Sequence, residues 1–324
     1  MPVTFHLPGS VLQDPALLKP YYQRLIAGLR DRGHRVRSVL HDRTTTLDTV
    51  AATPGVHIAD HGSQRHARLM NTGVAYIYPF WNLDPWGIRA QSSIAAQAFD
   101  PGSVDADAAA AFAARLRKRL VGQRRSRYPQ PQAVTEVPTG CIAVFLQSDA
   151  HRQVEETCHL TQRQMLAAVM ARDDPRPIVV KPHPRDTDPD TRAYLDRLSR
   201  TDARLRVMDA NIHDMLARAA VAVTINSAVG IEAHLHRVPG VLCGQADFHH
   251  ASITVTDARQ MDEGIARAEA TRWPHDAFLH WYLAERCLNA GAPSLVDDFL
   301  AHLPPAPPAA RPSRASPPSP PVRR

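Results

Sequence analysis

Val179-Val180-Lys181-Pro182-His183-Pro184-Arg185, preceded by Ile178, joins an apolar β-branched run to a loop of cations and prolines. The run predicts a buried strand, and its sequel the loop at that strand's carboxyl end. Further on, Val221-Ala222-Val223-Thr224-Ile225 repeats the outline and empties into Asn226-Ser227-Ala228-Val229-Gly230-Ile231-Glu232-Ala233, a polar turn that opens a helix. In open parallel sheets, ligands bind beyond the carboxyl ends of the strands, where loops and helix starts supply donors. The pattern therefore gathers Lys181, His183, Arg185, Asn226, Ser227 and Glu232 toward one anionic ligand.

Outward from this stretch, strand and helix signals alternate. Toward the C-terminus come helices over 191–198 and 212–219, a short strand at 205–208, a helix over 229–236 and a strand at 240–244. Phe278–Leu288 and Ser294–Leu303 close the series as helices. Toward the N-terminus, Cys141–Leu146 is a buried strand that runs into Gln147-Ser148-Asp149, and 161–171 is a helix. Arg124–Thr139, with Pro129, Pro131 and Pro138, has the composition of an interdomain linker. Before it, strands are expected at 3–7, 36–40, 56–59 and 74–78, with helices over 17–29, 63–70 and 106–120. Residues 79–89 hold too much Pro, Gly and Asn for a regular element. The basic run 115–127 is expected to be a solvated helix face running into an exposed connection.

The alternation predicts an α/β fold with parallel sheets: an N-terminal domain over 1–138, a C-terminal domain over 139–303, and a disordered tail over 304–324. Nine of the tail's twenty-one residues are Pro, so it cannot bury a core.

Among the 324 residues, 44% are hydrophobic and 22% charged, as in folded soluble proteins. The formal charge is +6, but the tail supplies four Arg and no acid, which leaves the body at +2. A basic balance of that size gives no ground for a nucleic-acid partner. Cys141, Cys158, Cys243 and Cys287 form no C-x-x-C pair and fit reduced thiols of a cytosolic protein. No apolar run approaches a membrane span, and the first residues lack the charged start and apolar core of a signal peptide.

In the Lys181–Arg185 loop, prolines hold three cations apart, and His with Arg supplies charge and directed hydrogen bonds to a phosphate. Asn226 and Ser227 double as helix caps. Glu232 can accept both hydroxyls of a ribose, or merely complement the helix dipole. Trp81 and Trp86 stack on a sugar or pack locally, and Asp60-His61-Gly62 at a strand end offers a base. His234-x-His236 and His249-His250 lack a third ligand at metal-binding spacing, so no metal is expected.

K-P-H-P-R, followed by D-x-L-x-x-A-x-x-x-x-T-I-N-S-x-V-G-x-E-A over Asp214–Ala233, resembles the bacterial capsule polysaccharide biosynthesis family. That family includes transferases that add Kdo (3-deoxy-D-manno-octulosonic acid) from CMP-Kdo. The resemblance implies a GT-B architecture, two Rossmann-like domains facing across a cleft. It places His183 and Pro184 on the CMP phosphate or cytidine, Ser227 on the phosphate and Glu232 on the ribose. Leu83-Asp84-Pro85-Trp86-Gly87-Ile88-Arg89 is similar to the family's E-D-G-F-x-R-S segment, with Pro85-Trp86 inserted and Leu83 in place of the Glu. The implied catalytic pair is Asp84, beneath the anomeric carbon of a retaining transfer, and Arg89, on the sugar's carboxylate.

The expected function is a cytoplasmic glycosyltransferase that moves an acidic, Kdo-like sugar from a CMP-activated donor to a lipid- or saccharide-linked acceptor. No further cofactor is expected, and contact with the inner-membrane polysaccharide assembly machinery is peripheral. A UDP-sugar transferase or epimerase, and a catalytically silent nucleotide-binding assembly subunit, are the alternatives.

Overall fold

The computed structural model describes residues 1–147 and 157–304, so Ser148, Asp149 and the expected tail from residue 305 on lie outside the described residues. Two six-stranded sheets carry the fold. The first contains β1 (Pro2–Leu7), β2 (Arg35–Leu40), β3 (Val56–Asp60), β4 (Leu69–Val74) and β5 (Phe80–Asp84). The second contains β6 (Cys141–Phe145), β7 (Ile178–Lys181), β8 (Leu205–Val207), β9 (Ala219–Thr224), β10 (Gly240–Leu242) and β11 (Ile253–Thr254). A late strand, β12 (Leu288–Asn289), returns to the first sheet. The orders are β12-β5-β4-β3-β1-β2 and β11-β10-β9-β6-β7-β8.

The second sheet is parallel throughout, and its strands are nearly continuous apolar runs because both faces are covered. Its order reverses between β6 and β9, and Phe145 stands level with both Lys181 and Thr224. That register brings Gln147, the Lys181–Arg185 loop and the Asn226–Ser227 turn to one edge, at a topological switch point. The first sheet has the matching reversal between β1 and β3.

The β3 to β5 region departs from the sequence reading. No helix forms at 63–70; the chain enters β4 there instead, and of the strand expected at 74–78 only Val74 is in a strand, with 75–78 irregular. Buried polar residues hide the strand signal, since Asn71 and Thr72 are fully covered and find partners in the Gln64 and Asn82 carbonyls. The Pro- and Asn-rich stretch holds β5, antiparallel to β4. There Trp81 stacks on Tyr21 at 4.0 Å in the core, so it is not a sugar platform. Trp86 lies under the Arg65 guanidinium, 4.1 Å from the ring.

The C-terminal end belongs with the first sheet. Leu288 and Asn289 pair with Trp81 and Phe80, and Phe299 of helix Leu295–His302 stacks on Phe5 at 6.4 Å. The single stretch 139–303 thus spans both sheets: residues up to 254 supply the second sheet, and residues from 288 rejoin the first. Between the sheets, helix Ala106–Leu120 packs on His275–Leu279 and on the π-helical turn His280–Glu285, where a helix over 278–288 was expected. Phe248 joins the same apolar cluster. Gly230 lets helix Val229–Leu235 approach it, because a Cβ there would lie 2.7 Å from the Phe248 ring. No helix among the described residues is long and apolar enough to cross a membrane.

Candidate functional site

At the carboxyl edge of the second sheet, the charges of the opening stretch separate into two uses. The Lys181 ammonium is buried and donates to the Asp209 carboxylate at 2.9 Å and the Ala210 carbonyl at 2.6 Å. It ties β7 to the segment after β8, although the side chain also borders the narrow pocket described below. His183 Nδ1 accepts the Arg185 N–H at 3.1 Å, which leaves Nε2 to carry the proton of the neutral ring. The His183 ring meets Tyr128 edge-on at 5.1 Å, and the Arg185 guanidinium lies 4.8 Å from the same ring. Asn226 donates to the Gln245 carbonyl at 2.9 Å, joining the turn to the loop after β10. Ser227 Oγ accepts the Val229 N–H at 3.4 Å.

The first sheet contributes Arg89. Its backbone is left-handed at φ 54, its N–H donates to Asn82 Oδ1 at 3.2 Å and its Nε to the Val74 carbonyl at 3.1 Å. Asp84 makes the loop that presents it. One Asp84 oxygen accepts the N–H groups of Trp86 at 2.7 Å, Gly87 at 3.1 Å and Ser93 at 2.9 Å. The other accepts the Ser93 hydroxyl at 2.6 Å. From the second half, buried Asp247 grips the same loop through the Ser92 hydroxyl at 2.7 Å, while Tyr282 donates to its other oxygen at 2.9 Å. Burial pushes the Asp247 carboxyl up to about 6, with the Ser92 and Tyr282 hydrogen bonds opposing.

Arg89, His183, Arg185, Asn226, Ser227 and Gln147 line one cavity of about 260 Å³, together with Arg127 and Tyr128. Its described lining includes three guanidiniums and an imidazole but no carboxylate. Burial, then the neighbouring Arg89 cation, lowers the Arg127 pKa, a repulsion that an anion between the two relieves. Gln147 Nε2 is buried without a hydrogen-bond partner among the described residues.

A narrower pocket of about 40 Å³ adjoins it, bordered by Pro182, His183, Pro184, Ser126, Ser227 and Glu232. Glu232 is fully buried, and neither carboxyl oxygen makes a hydrogen bond of good geometry among the described residues, the Ser126 side chain being near enough only to interact weakly. Burial pushes it up to about 8 against the pull of Ser126 and Arg127, so at neutral pH it is mostly a neutral acid able both to donate and to accept.

Asp84 lines neither pocket. Arg127 and Tyr128, in contrast, come from the run taken as an exposed connection. Arg117, Arg119 and Arg124 of that run are spent on Asp276, the Tyr78 carbonyl and Asp214, and Arg127 turns into the cavity. The available signal was the Arg-Tyr pair next to Ser126 in a proline-rich connection, a cation and a π-face together. No group of three His, Cys, Asp or Glu side chains among the described residues is placed to hold a metal ion. His234 pairs with His275 at 2.8 Å and His236 with His213 at 2.9 Å.

The sequence model of the capsule polysaccharide biosynthesis protein family matches residues 106–290. No curated protein sequence matches the chain. Among solved structures, the KpsC β-Kdo 2,4 transferase of Thermosulfurimonas dismutans has 15% identity and a TM-score of 0.52, covering 86% of this chain and 89% of that one. The KpsC β-Kdo 2,7 transferase of the same organism has 14% identity and a TM-score of 0.53, covering 86% and 88%. At such identities the likeness speaks for the fold, which is GT-B-like.

Proposed function

Because the chain belongs to the capsule polysaccharide biosynthesis family, we propose that it is a glycosyltransferase that takes an acidic, Kdo-like sugar from a CMP-activated donor. The observation that carries this reading is the cavity whose described lining holds three guanidiniums, an imidazole and no carboxylate, set against a pocket that holds the buried Glu232 carboxyl. Arg127, Arg185 and the His183 Nε2–H meet the donor phosphate, with Ser227 beside them. Glu232 takes the ribose hydroxyls or the base, and Arg89 the sugar carboxylate. Fixed cations in a sheltered site stabilise the charge that develops on a departing CMP, so no metal is required. The acceptor is lipid- or saccharide-linked, and the chain meets the membrane assembly machinery from its surface.

Thermal unfolding with nucleotides tests the donor. CMP at about 100 times its Kd should stabilise the fold by about 2.7 kcal/mol. Protection by UDP or UDP-GlcNAc without protection by CMP would overturn the CMP reading. Arg127→Ala should weaken CMP binding about 10- to 100-fold in calorimetry, the range of a lost charge-assisted contact. Lys181→Met should do the reverse, lowering stability to denaturant by about 1–3 kcal/mol while CMP affinity stays within about threefold.

A further inference from the structure

The Asp60-His61 pair stands where β3 ends, at the order reversal of the first sheet, which is the position equivalent to that of the cationic cavity on the second. His61 Nδ1 donates to Asp60 Oδ1 at 2.8 Å, and the Tyr22 hydroxyl donates to the same oxygen. Asp60 is buried, yet its pKa is lowered, because the His61 and Tyr22 hydrogen bonds outweigh desolvation. With Nδ1 committed as donor, the neutral ring presents a lone pair at Nε2, which has no partner among the described residues, and the side chain is 37% exposed.

Other histidines of the chain behave differently. His6 is closed against His57 at 2.9 Å and His234 against His275 at 2.8 Å, inside the protein. His61 is instead held in a left-handed conformation, φ 53, that keeps its ring at the sheet edge. The ring and the Ile88 side chain meet over Gly73, where a Cβ would stand 3.6 Å from His61 Cδ2 and 2.6 Å from Ile88 Cδ1. Ile88 precedes Arg89, and the carbonyl that anchors Arg89 belongs to Val74, next to Gly73. The His61 ring and the Arg89 side chain thus rest against adjacent residues of β4, Gly73 and Val74, although His61 itself does not line the cavity. Lys19, His41 and Arg43 are the other charged or titratable groups near the pair among the described residues, and Arg43 donates to the His61 carbonyl at 3.5 Å.

We propose that His61 is the general base of the transfer, with Asp60 and Tyr22 as positioning residues. This rests on the glycosyltransferase reading above. In the step, His61 Nε2 takes the proton of the acceptor hydroxyl. The bond from the anomeric carbon to the phosphate oxygen breaks, its electron pair leaving with CMP, and the acceptor oxygen bonds to the oxocarbenium-like carbon on the face that a retaining transfer requires. Asp60 stabilises the imidazolium that results.

Two measurements decide it. In NMR of the full chain with labelled histidine, the His61 Cε1–H resonance, identified by its loss in His61→Gln, should move on addition of CMP or of inorganic pyrophosphate. A resonance that neither ligand moves would place His61 away from the cavity and overturn the proposal, whether or not the chain is a transferase. In a transfer assay with CMP-Kdo and a saccharide acceptor, His61→Gln should bind CMP within about twofold of the parent and lose about 10²- to 10⁴-fold in kcat, with the acid limb of the pH profile lost. Asp60→Asn should lower kcat with CMP affinity unchanged. A His61→Gln variant that transfers within tenfold of the parent also overturns the assignment. A parent that neither binds CMP nor transfers sinks the donor reading separately, and the pyrophosphate measurement still decides whether His61 borders the cavity.

Discussion

Asp84→Ala should destabilise the protein by about 2–4 kcal/mol, because it leaves three buried or part-buried N–H donors and a serine hydroxyl without their acceptor. Asp84→Asn should cost about 1 kcal/mol, since an amide oxygen still accepts the three N–H groups and its NH₂ donates to a reoriented Ser93 hydroxyl. The pair of variants separates two roles. If Asp84 shapes the loop that carries Arg89, the Asn variant keeps its CMP affinity and most of its turnover, while the Ala variant loses both. If Asp84 acts on the anomeric carbon, the Asn variant folds, binds and does not turn over. The saturation of both oxygens favours the first outcome, and urea titration alongside CMP calorimetry reads it.

Glu232 should give the free protein an unusual alkaline slope. Its pKa rises from 4.5 to about 8 on folding through burial, so its contribution is fully present below pH 4.5 and is lost as pH rises through 8. The linkage amounts to about 5 kcal/mol in total, about 2 of it between pH 6.5 and 8.5. Buried histidines act in the opposite sense. His6, His236, His250 and His275 are lowered to about 4 by burial, so their contribution is present above pH 6.5 and is lost on acidification toward 4. Below pH 6.5 the two effects oppose each other, and above it Glu232 stands out. Chemical denaturation at pH 6.5 and 8.5 should show the decline in the parent and a flat response in Glu232→Gln. Equal slopes in both proteins would mean that Glu232 is ionised in the fold. Near neutrality, Glu232→Gln should keep CMP affinity within a few-fold, and Glu232→Ala should lose about tenfold.

Much of the second sheet was legible in the sequence. Its strands are short β-branched runs bounded by turn residues, and helix Gln162–Met170 carries a capping box in Thr161 and Gln164. The first sheet was less legible. β4 and β5 bury Asn71, Thr72, Asn82 and Asp84, which break the hydrophobic pattern and find their hydrogen-bond partners on other strands and loops. Helix Met261–Ala270 escaped because its buried face, Met261, Gly264, Ile265 and Ala268, holds only two large apolar side chains.

The sequence by itself determined the alternation of strands and helices and the placing of the His183–Arg185 loop and the Asn226–Glu232 segment at strand ends, since periodicity and turn chemistry act over a few residues. Only the tertiary structure decided what each charge does. A cation or carboxylate is committed by whichever partner folding brings within 3 Å, and those partners are distant in sequence. Lys181 is committed to Asp209 and the Ala210 carbonyl, and Asp247 to Ser92. Arg127 arrives in the cavity from a connection that looked exposed, and Glu232 is left buried in the adjoining pocket with no cation bonded to it among the described residues.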